Sequence, residues 1–140
     1  MFKLVIFVVA LAVVSCKVLK PEATERDRKA FQLAHKKCQM SDETKTEEEL
    51  VRKLLQGEFV EDEQLKKHMY CMSIPMKVMH ENGTINVESL KATFNEYYDG
   101  EQLQRALDCL KEYATPVETA WELIKCKHRA AGFLNKADSV

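Results

Sequence analysis

Histidine and cysteine recur at one spacing in two parts of this sequence. His35 stands three residues before Cys38, and His68 stands three residues before Cys71. On a helix each pair shares one face, so a zinc site of two cysteines and two histidines is conceivable if the cysteines meet. The short Cys-x-x-Cys links of common zinc sites are missing, and an oxidising compartment would favour a disulfide. We therefore expect no metal and no cofactor.

The sequence offers little for catalysis. It has no Gly-x-Ser-x-Gly, no phosphate-binding loop and no His-Glu-x-x-His. Histidine titrates in the physiological range and could act as a pH switch. We interpret all four histidines, including His80 and His128, as isolated surface residues without that role. The prediction is a protein that is not an enzyme.

A stripe of four methionines and a leucine is the main apolar feature. Five residues are spaced four, three, four and three apart: Leu65, Met69, Met72, Met76 and Met79. This spacing predicts one face of a helix over 62–80, capped by Asp62 and bent at Pro75. Methionine is unbranched and polarisable, so such a face suits apolar ligands of different shapes. The alternative is that the methionines fill an irregular core.

Residues 1–16 have the pattern of a secretory signal peptide. Lys3 precedes eleven apolar residues, and Ser15 and Cys16 follow them. That run is too short to span a bilayer. A bacterial lipoprotein signal ending at Cys16 is the alternative reading. The remaining residues, 17–140, are enough for one domain.

Charge and cysteine content narrow the class of protein. Without residues 1–16, 20 basic residues face 22 acidic ones, so neither nucleic acid nor a membrane is an expected partner. Four cysteines remain in this part of the chain: Cys38, Cys71, Cys109 and Cys126. An even number in a small secreted chain predicts two disulfides, and three pairings are open.

Helix signals dominate the rest of the chain. A first helix is expected over about 24–40, and Thr46 with Glu49 predicts a capping box for a second that ends at Gly57. Asn86 is the expected cap of a fourth helix, and a fifth follows it. Thr115 with a proline and a glutamate behind it predicts the start of the sixth. The predicted fold class is all-α, a compact domain of six helices.

The cysteine spacing carries a resemblance. There are 32, 37 and 16 residues between successive cysteines of the four. This resembles the insect odorant-binding proteins of the pheromone and general odorant-binding family. That family has six cysteines, and Lys67 and Val117 stand here at the two missing positions, as in its four-cysteine Minus-C subgroup. The resemblance implies disulfides Cys38–Cys71 and Cys109–Cys126. Because the family's third disulfide is missing, it also implies a cavity that opens more freely.

The resemblance also implies a function. Members enclose an apolar cavity that carries small hydrophobic molecules, so we expect a secreted carrier of odorants, pheromones or other lipophilic metabolites in sensory lymph or haemolymph. The implied ligand-binding residues are Leu65, Met69, Met72, Met76, Phe94, Tyr98, Leu107, Leu110, Trp121 and Ile124, with Phe133 as a plug. Tyr98 or Tyr113 could orient a polar group. An olfactory receptor or no protein partner is expected, and a monomer or weak homodimer.

Two further interpretations stay open. The chain could instead be a secreted protein-binding or sequestering factor of saliva, seminal fluid or immunity that acts through a helical surface. An exposed apolar patch over a solid core would favour that class. Asn82 begins an Asn-Gly-Thr glycosylation sequon on a predicted turn, and an unmodified turn is the alternative.

Overall fold

The computed structural model describes residues 21–131, and these form six helices. The helices are α1 (Pro21–Cys38), α2 (Glu48–Leu55), α3 (Glu63–Ser73), α4 (Val87–Tyr97), α5 (Gly100–Leu107) and α6 (Pro116–Ala131). The extended pairing within this range is an isolated antiparallel bridge between Met79 and Ile85. The predicted all-α class with six helices is confirmed. The predicted signal peptide lies outside the described residues.

Three helices begin at the predicted caps. Side-chain oxygens of Asp62, Asn86 and Thr115 accept hydrogen bonds from the amides three residues later, at 2.7, 3.2 and 3.1 Å. Each bond satisfies a donor that the first helical turn leaves without a partner. The starts of α3, α4 and α6 are therefore encoded locally.

The capping box predicted at Thr46 and Glu49 is wrong. The helix starts after Glu47, and no side chain caps it. The side-chain amide of Gln39 instead bonds both backbone groups of Thr46, at 2.8 and 2.9 Å, and Glu49 pairs with Arg52. The residue after α1 thus holds the chain that leads into α2, and this contact from seven positions earlier replaces the local cap.

The predicted bent helix over 62–80 is also wrong, because α3 ends at Ser73. Pro75 lacks the amide hydrogen that would continue the helical ladder. Lys77 adopts a positive φ of 59°, and the amides of Val78 and Met79 both bond back to the carbonyl of Ser73, at 2.9 and 3.1 Å. The chain therefore turns away, and the methionine stripe is divided between a helix and a turn.

Two disulfides tie the helices together. Cys38 at the end of α1 is bonded to Cys71 in α3, and Cys109 after α5 is bonded to Cys126 in α6. They close loops of 33 and 17 residues. Loops of that size correspond to roughly 3–4 kcal/mol each in the chain-entropy model. Both pairs are those that the resemblance implies.

Helices α3 and α6 form the centre of the packing. α3 packs against α1 and α6, and α5 packs against α6 and α4. One buried cluster comprises Ala34, Cys38, Val51, Leu54, Leu65, Met69, Met72 and Trp121. A second comprises Ile85, Leu90, Phe94, Tyr98, Ala106, Cys109, Leu123 and Ala130. The inner face of α6 contributes to both clusters, so this helix joins the two halves of the core.

Candidate ligand-binding site

An apolar cavity of about 310 Å³ lies between the helices and is partly open to solvent. Its lining consists of Phe31, Leu54, Leu55, Phe59, Met69, Met72, Ser73, Met76, Val78, Leu90, Phe94, Ala120, Leu123, Ile124, Lys127 and His128. Leu55 is 62% exposed, which marks the end of α2 as part of the opening. The volume is at the lower end of the range typical of small-molecule sites, about 300–1,000 Å³.

Helical spacing explains how α3 and α6 form the wall. On α3, Met69, Met72 and Ser73 are three and four residues apart and face the cavity. On α6 the lining residues recur at intervals of three and one: Ala120, Leu123, Ile124, Lys127 and His128. The face of α6 that begins as buried core near its N-terminus therefore becomes cavity wall with a basic end.

Polar side chains are few in this lining. The hydroxyl of Ser73 already donates to the carbonyl of Tyr70 at 2.6 Å, so it is engaged within α3. Lys127 and His128 are the remaining polar members. Burial lowers the pKa of the Lys127 amine, and the carboxylate of Asp27 on α1 opposes part of that shift. The cavity is thus an apolar chamber with its cationic group on α6.

His128 fits against a turn that requires glycine. Gly57 follows α2 with a φ of +83°, and a Cβ atom placed there would lie 2.5 Å from Nε2 of His128. The ring of Phe59 meets the His128 ring edge-on, with centroids 5.3 Å apart. The absence of a side chain at Gly57 lets the loop after α2 close over the end of α6.

Five residues of the predicted ligand wall line the cavity. They are Met69, Met72, Met76, Phe94 and Ile124. They come from α3, the turn after it, α4 and α6, which the fold brings together. Phe133, the predicted plug, lies outside the described residues.

The other five predicted wall residues pack beside the cavity rather than along it. Leu65 and Trp121 are buried in the first cluster, where the indole N–H donates to Glu61 at 3.2 Å. Tyr98, Leu107 and Leu110 belong to the second cluster. Burial raises the pKa of the Tyr98 hydroxyl. Tyr113 is 46% exposed, away from the lining.

The structure adds lining residues that the sequence interpretation missed. Phe31 comes from α1, Leu54 and Leu55 from α2, and Lys127 from α6. Leu54 carries a signal in its spacing from the apolar residues of α2. Lys127 carries one as well, because it stands three residues after Ile124 on the same helical face. Lysine side chains are mostly exposed in proteins, so apolar spacing alone does not select Lys127 as a wall residue.

The interpretation of all histidines as isolated surface residues is wrong. His68 is fully buried, and its Nε2 lies 2.9 Å from Nδ1 of His35. The other ring nitrogen of His35 lies 3.0 Å from the carboxylate of Glu48. The disulfide Cys38–Cys71 brings these rings together, since each histidine precedes its cysteine by one helical turn.

Within residues 21–131, no group of three or more histidine, cysteine or carboxylate side chains is placed to hold a metal ion. Within the same range, none of the helices is both long and apolar enough to cross a membrane.

The fold and the cavity define a class: a small disulfide-bonded helical protein with an internal apolar cavity. The PBP/GOBP family model matches residues 20–130, and the chain belongs to that family. The B2 protein of Tenebrio molitor is 25% identical over 105 residues, which is 74% of this chain and 80% of that protein. The B1 protein of the same beetle is 24% identical over 105 residues, covering 74% and 79%. No solved structure matches the chain significantly.

Proposed function

We propose that the protein is a secreted carrier that binds small hydrophobic molecules reversibly in this cavity and transports them through an aqueous fluid. The observation that carries the proposal is the apolar cavity of about 310 Å³ in a chain of the PBP/GOBP family. Apolar area removed from water contributes roughly 25 cal/mol per Å². Binding by such a wall should therefore be broad and modest rather than narrowly selective.

The wall is suited to ligands of different shapes. Met69, Met72 and Met76 line the chamber together with aromatic and branched side chains from other helices. Methionine side chains adapt to irregular surfaces at little cost. Several classes of apolar ligand, such as alcohols and esters, should compete for one site.

The same proposal includes the leader and the subgroup. Residues 1–16 would direct the chain to secretion, and the mature protein of residues 17–140 would act in sensory lymph or haemolymph, without catalysis. Lys67 and Val117 in place of two cysteines support membership of the Minus-C subgroup.

Binding of the fluorescent apolar probe N-phenyl-1-naphthylamine tests the function. We expect one probe per protein, displaced by 1-decanol. Ala120 is 1% exposed and lines the cavity. Ala120→Leu should therefore fill part of the cavity and lower the affinity for the probe by about tenfold. Ala92 on α4 is exposed, so Ala92→Leu is the matched control and should bind as the wild type does. A folded wild type that binds no probe would contradict the carrier and favour a protein-binding role.

A further inference from the structure

Two lysines on α6 stand two residues apart and have different surroundings. The amine of Lys125 is 2.9 Å from Glu122 and 3.3 Å from Glu61, and these hydrogen bonds raise its pKa. The amine of Lys127 has no carboxylate within 4 Å among the residues that the structure describes. The pKa of Lys127 moves in the opposite direction, downward, because burial disfavours its charged form.

The position of Lys127 on the helix accounts for this difference. It shares the inner face of α6 with Leu123 and Ile124 and lines the cavity. Much of its surface is accessible, and burial still dominates the environment of its amine. The two facts agree, since surface along an open cavity is accessible without being surrounded by bulk water.

The carboxylate that acts on the Lys127 amine, that of Asp27, already has other partners. Asp27 on α1 accepts a hydrogen bond from the hydroxyl of Tyr97 and lies 3.2 Å from the guanidinium of Arg26. Its carboxylate therefore acts on Lys127 from a distance without forming an ion pair with it. An amine at an apolar wall without an acidic partner is costly to charge.

We propose that Lys127 binds the carboxylate of an amphiphilic acid whose hydrocarbon chain occupies the cavity. The inference rests on the proposed carrier function and names its preferred ligand class. A carboxylate supplies the counter-charge that residues 21–131 do not, and an ammonium–carboxylate hydrogen bond is stronger than a bond between neutral groups. An acid that enters in its neutral form also brings the proton that the amine accepts, so no further reactant is needed.

Three ligands of ten carbons separate the headgroup from the chain: decanoic acid, its isomer methyl nonanoate, and 1-decanol. Each is measured by displacement of N-phenyl-1-naphthylamine. In the wild type we expect decanoic acid to bind about tenfold more tightly than the isomeric ester and the alcohol. Lys127→Met should abolish that preference and leave the affinity for 1-decanol within about twofold, because only the charge partner is lost.

Arg129→Met is the matched control. Arg129 is exposed on the same helix, two residues further along, so the substitution removes one positive charge without touching the cavity. It should keep the preference for the acid, and Lys127→Arg should keep it as well. His128→Gln tests the other basic residue of the lining: the ratio of acid to ester affinity should persist even where the affinities of all three ligands change.

Three outcomes would overturn the proposal: an ester that binds as tightly as its isomeric acid in the wild type, equal losses in Lys127→Met and Arg129→Met, or a preference that disappears with His128. Retained binding of 1-decanol in any of these cases leaves the carrier function intact. Loss of all three ligands in the folded wild type contradicts the carrier function itself.

Discussion

The imidazole rings of His35 and His68 are hydrogen-bonded to each other, with Nδ1 of His35 2.9 Å from Nε2 of His68. The Nδ1 atom of His68 lies 2.7 Å from the carbonyl of Thr44, which can only accept, so this nitrogen carries the proton. Because burial favours the neutral form of the His68 ring, its Nε2 is the acceptor and Nδ1 of His35 is the donor. Nε2 of His35 faces the carboxylate of Glu48, so the chain of bonds runs from that carboxylate through both rings to the carbonyl of Thr44.

This arrangement predicts that stability falls on acidification because of His68. Burial is the largest cause that lowers its pKa in the folded protein below the ordinary value of 6.5. The contribution to stability is therefore complete above about pH 6.5 and is lost as the pH falls from there toward the folded-state pKa, where only the unfolded chain takes up the proton. Urea unfolding between about pH 7 and pH 5 measures the loss.

His68→Asn removes the titrating ring and leaves an amide that can donate to the carbonyl of Thr44. The variant should be less stable than the wild type at neutral pH and should lose less stability across the same pH range. His80 is exposed on a turn, so His80→Asn is the control and should follow the wild-type curve. Identical pH slopes in wild type and His68→Asn would show that His68 does not carry the effect.

The glycine at the end of α2 gives a prediction about stability. Gly57 and Gly100 both have positive φ, +83° and +52°. A Cβ atom at Gly57 would collide with the ring of His128, whereas a Cβ atom at Gly100 would meet nothing within 4 Å. Gly100→Ala should cost about 1–2 kcal/mol for the left-handed backbone alone. Gly57→Ala should cost about 1 kcal/mol more, because the His128 ring must also move.

Chemical unfolding of both glycine variants measures the difference. We also compare the double variant Gly57→Ala/His128→Ala with His128→Ala alone. In that background, Gly57→Ala should lower the free energy of unfolding by no more than Gly100→Ala does in the wild type. An equal cost for the two single variants would mean that the contact between Gly57 and His128 does not constrain the loop.

The methionines show which parts of the structure the sequence predicts and which it does not. Met69 and Met72 reach the cavity on the helix that their spacing predicts. Met79 does not, because the chain turns after Ser73 and buries it in a bridge with Ile85. Local patterns thus give the helix and its start, whereas hydrogen bonds from the amides of Val78 and Met79 to the carbonyl of Ser73 decide where it ends.

The cavity wall shows the same division between local and tertiary information. Ile124 lines the cavity, whereas Trp121, about one turn earlier on the same helix, is 2% exposed and lies in the core with its N–H bonded to Glu61. Hydrogen bonds from Lys66 and from that indole hold the pKa of Glu61 at about 2. The partner of the indole, Glu61, lies in the loop before α3 and cannot be predicted from the sequence of α6. The sequence therefore could not assign Trp121 to the core.

The two positions that lack the family's cysteines give a prediction about the missing disulfide. Lys67 lies on α3 and Val117 in the first turn of α6, and these two helices pack together. A bridge between them would close a loop of about 50 residues, for which the chain-entropy model gives about 4 kcal/mol before strain. Lys67→Cys/Val117→Cys should form that bond and raise the free energy of unfolding by about 2–4 kcal/mol.

Mass spectrometry under non-reducing conditions shows whether the new bond forms, and urea unfolding gives the gain. Amide exchange in α3 should slow in the bridged protein, since opening of the cavity is then restrained. The single variants Lys67→Cys and Val117→Cys, alkylated to prevent exchange, are the controls. If thiols at 67 and 117 stay free under oxidising conditions, the Minus-C correspondence at these positions is wrong.

Asn82 provides the last prediction, a modification on the turn before α4. The residue is exposed, and its side-chain oxygen accepts hydrogen bonds from the amide and the hydroxyl of Thr84, at 3.1 and 2.6 Å. The sequon is therefore accessible, with its hydroxyl held against the acceptor amide. Protein secreted from insect cells should carry an N-glycan at Asn82 that a glycan amidase removes. Thr84→Ser keeps the sequon and should keep the glycan, whereas Thr84→Ala should abolish it; an unmodified wild type from such cells would show that the turn serves only to reverse the chain.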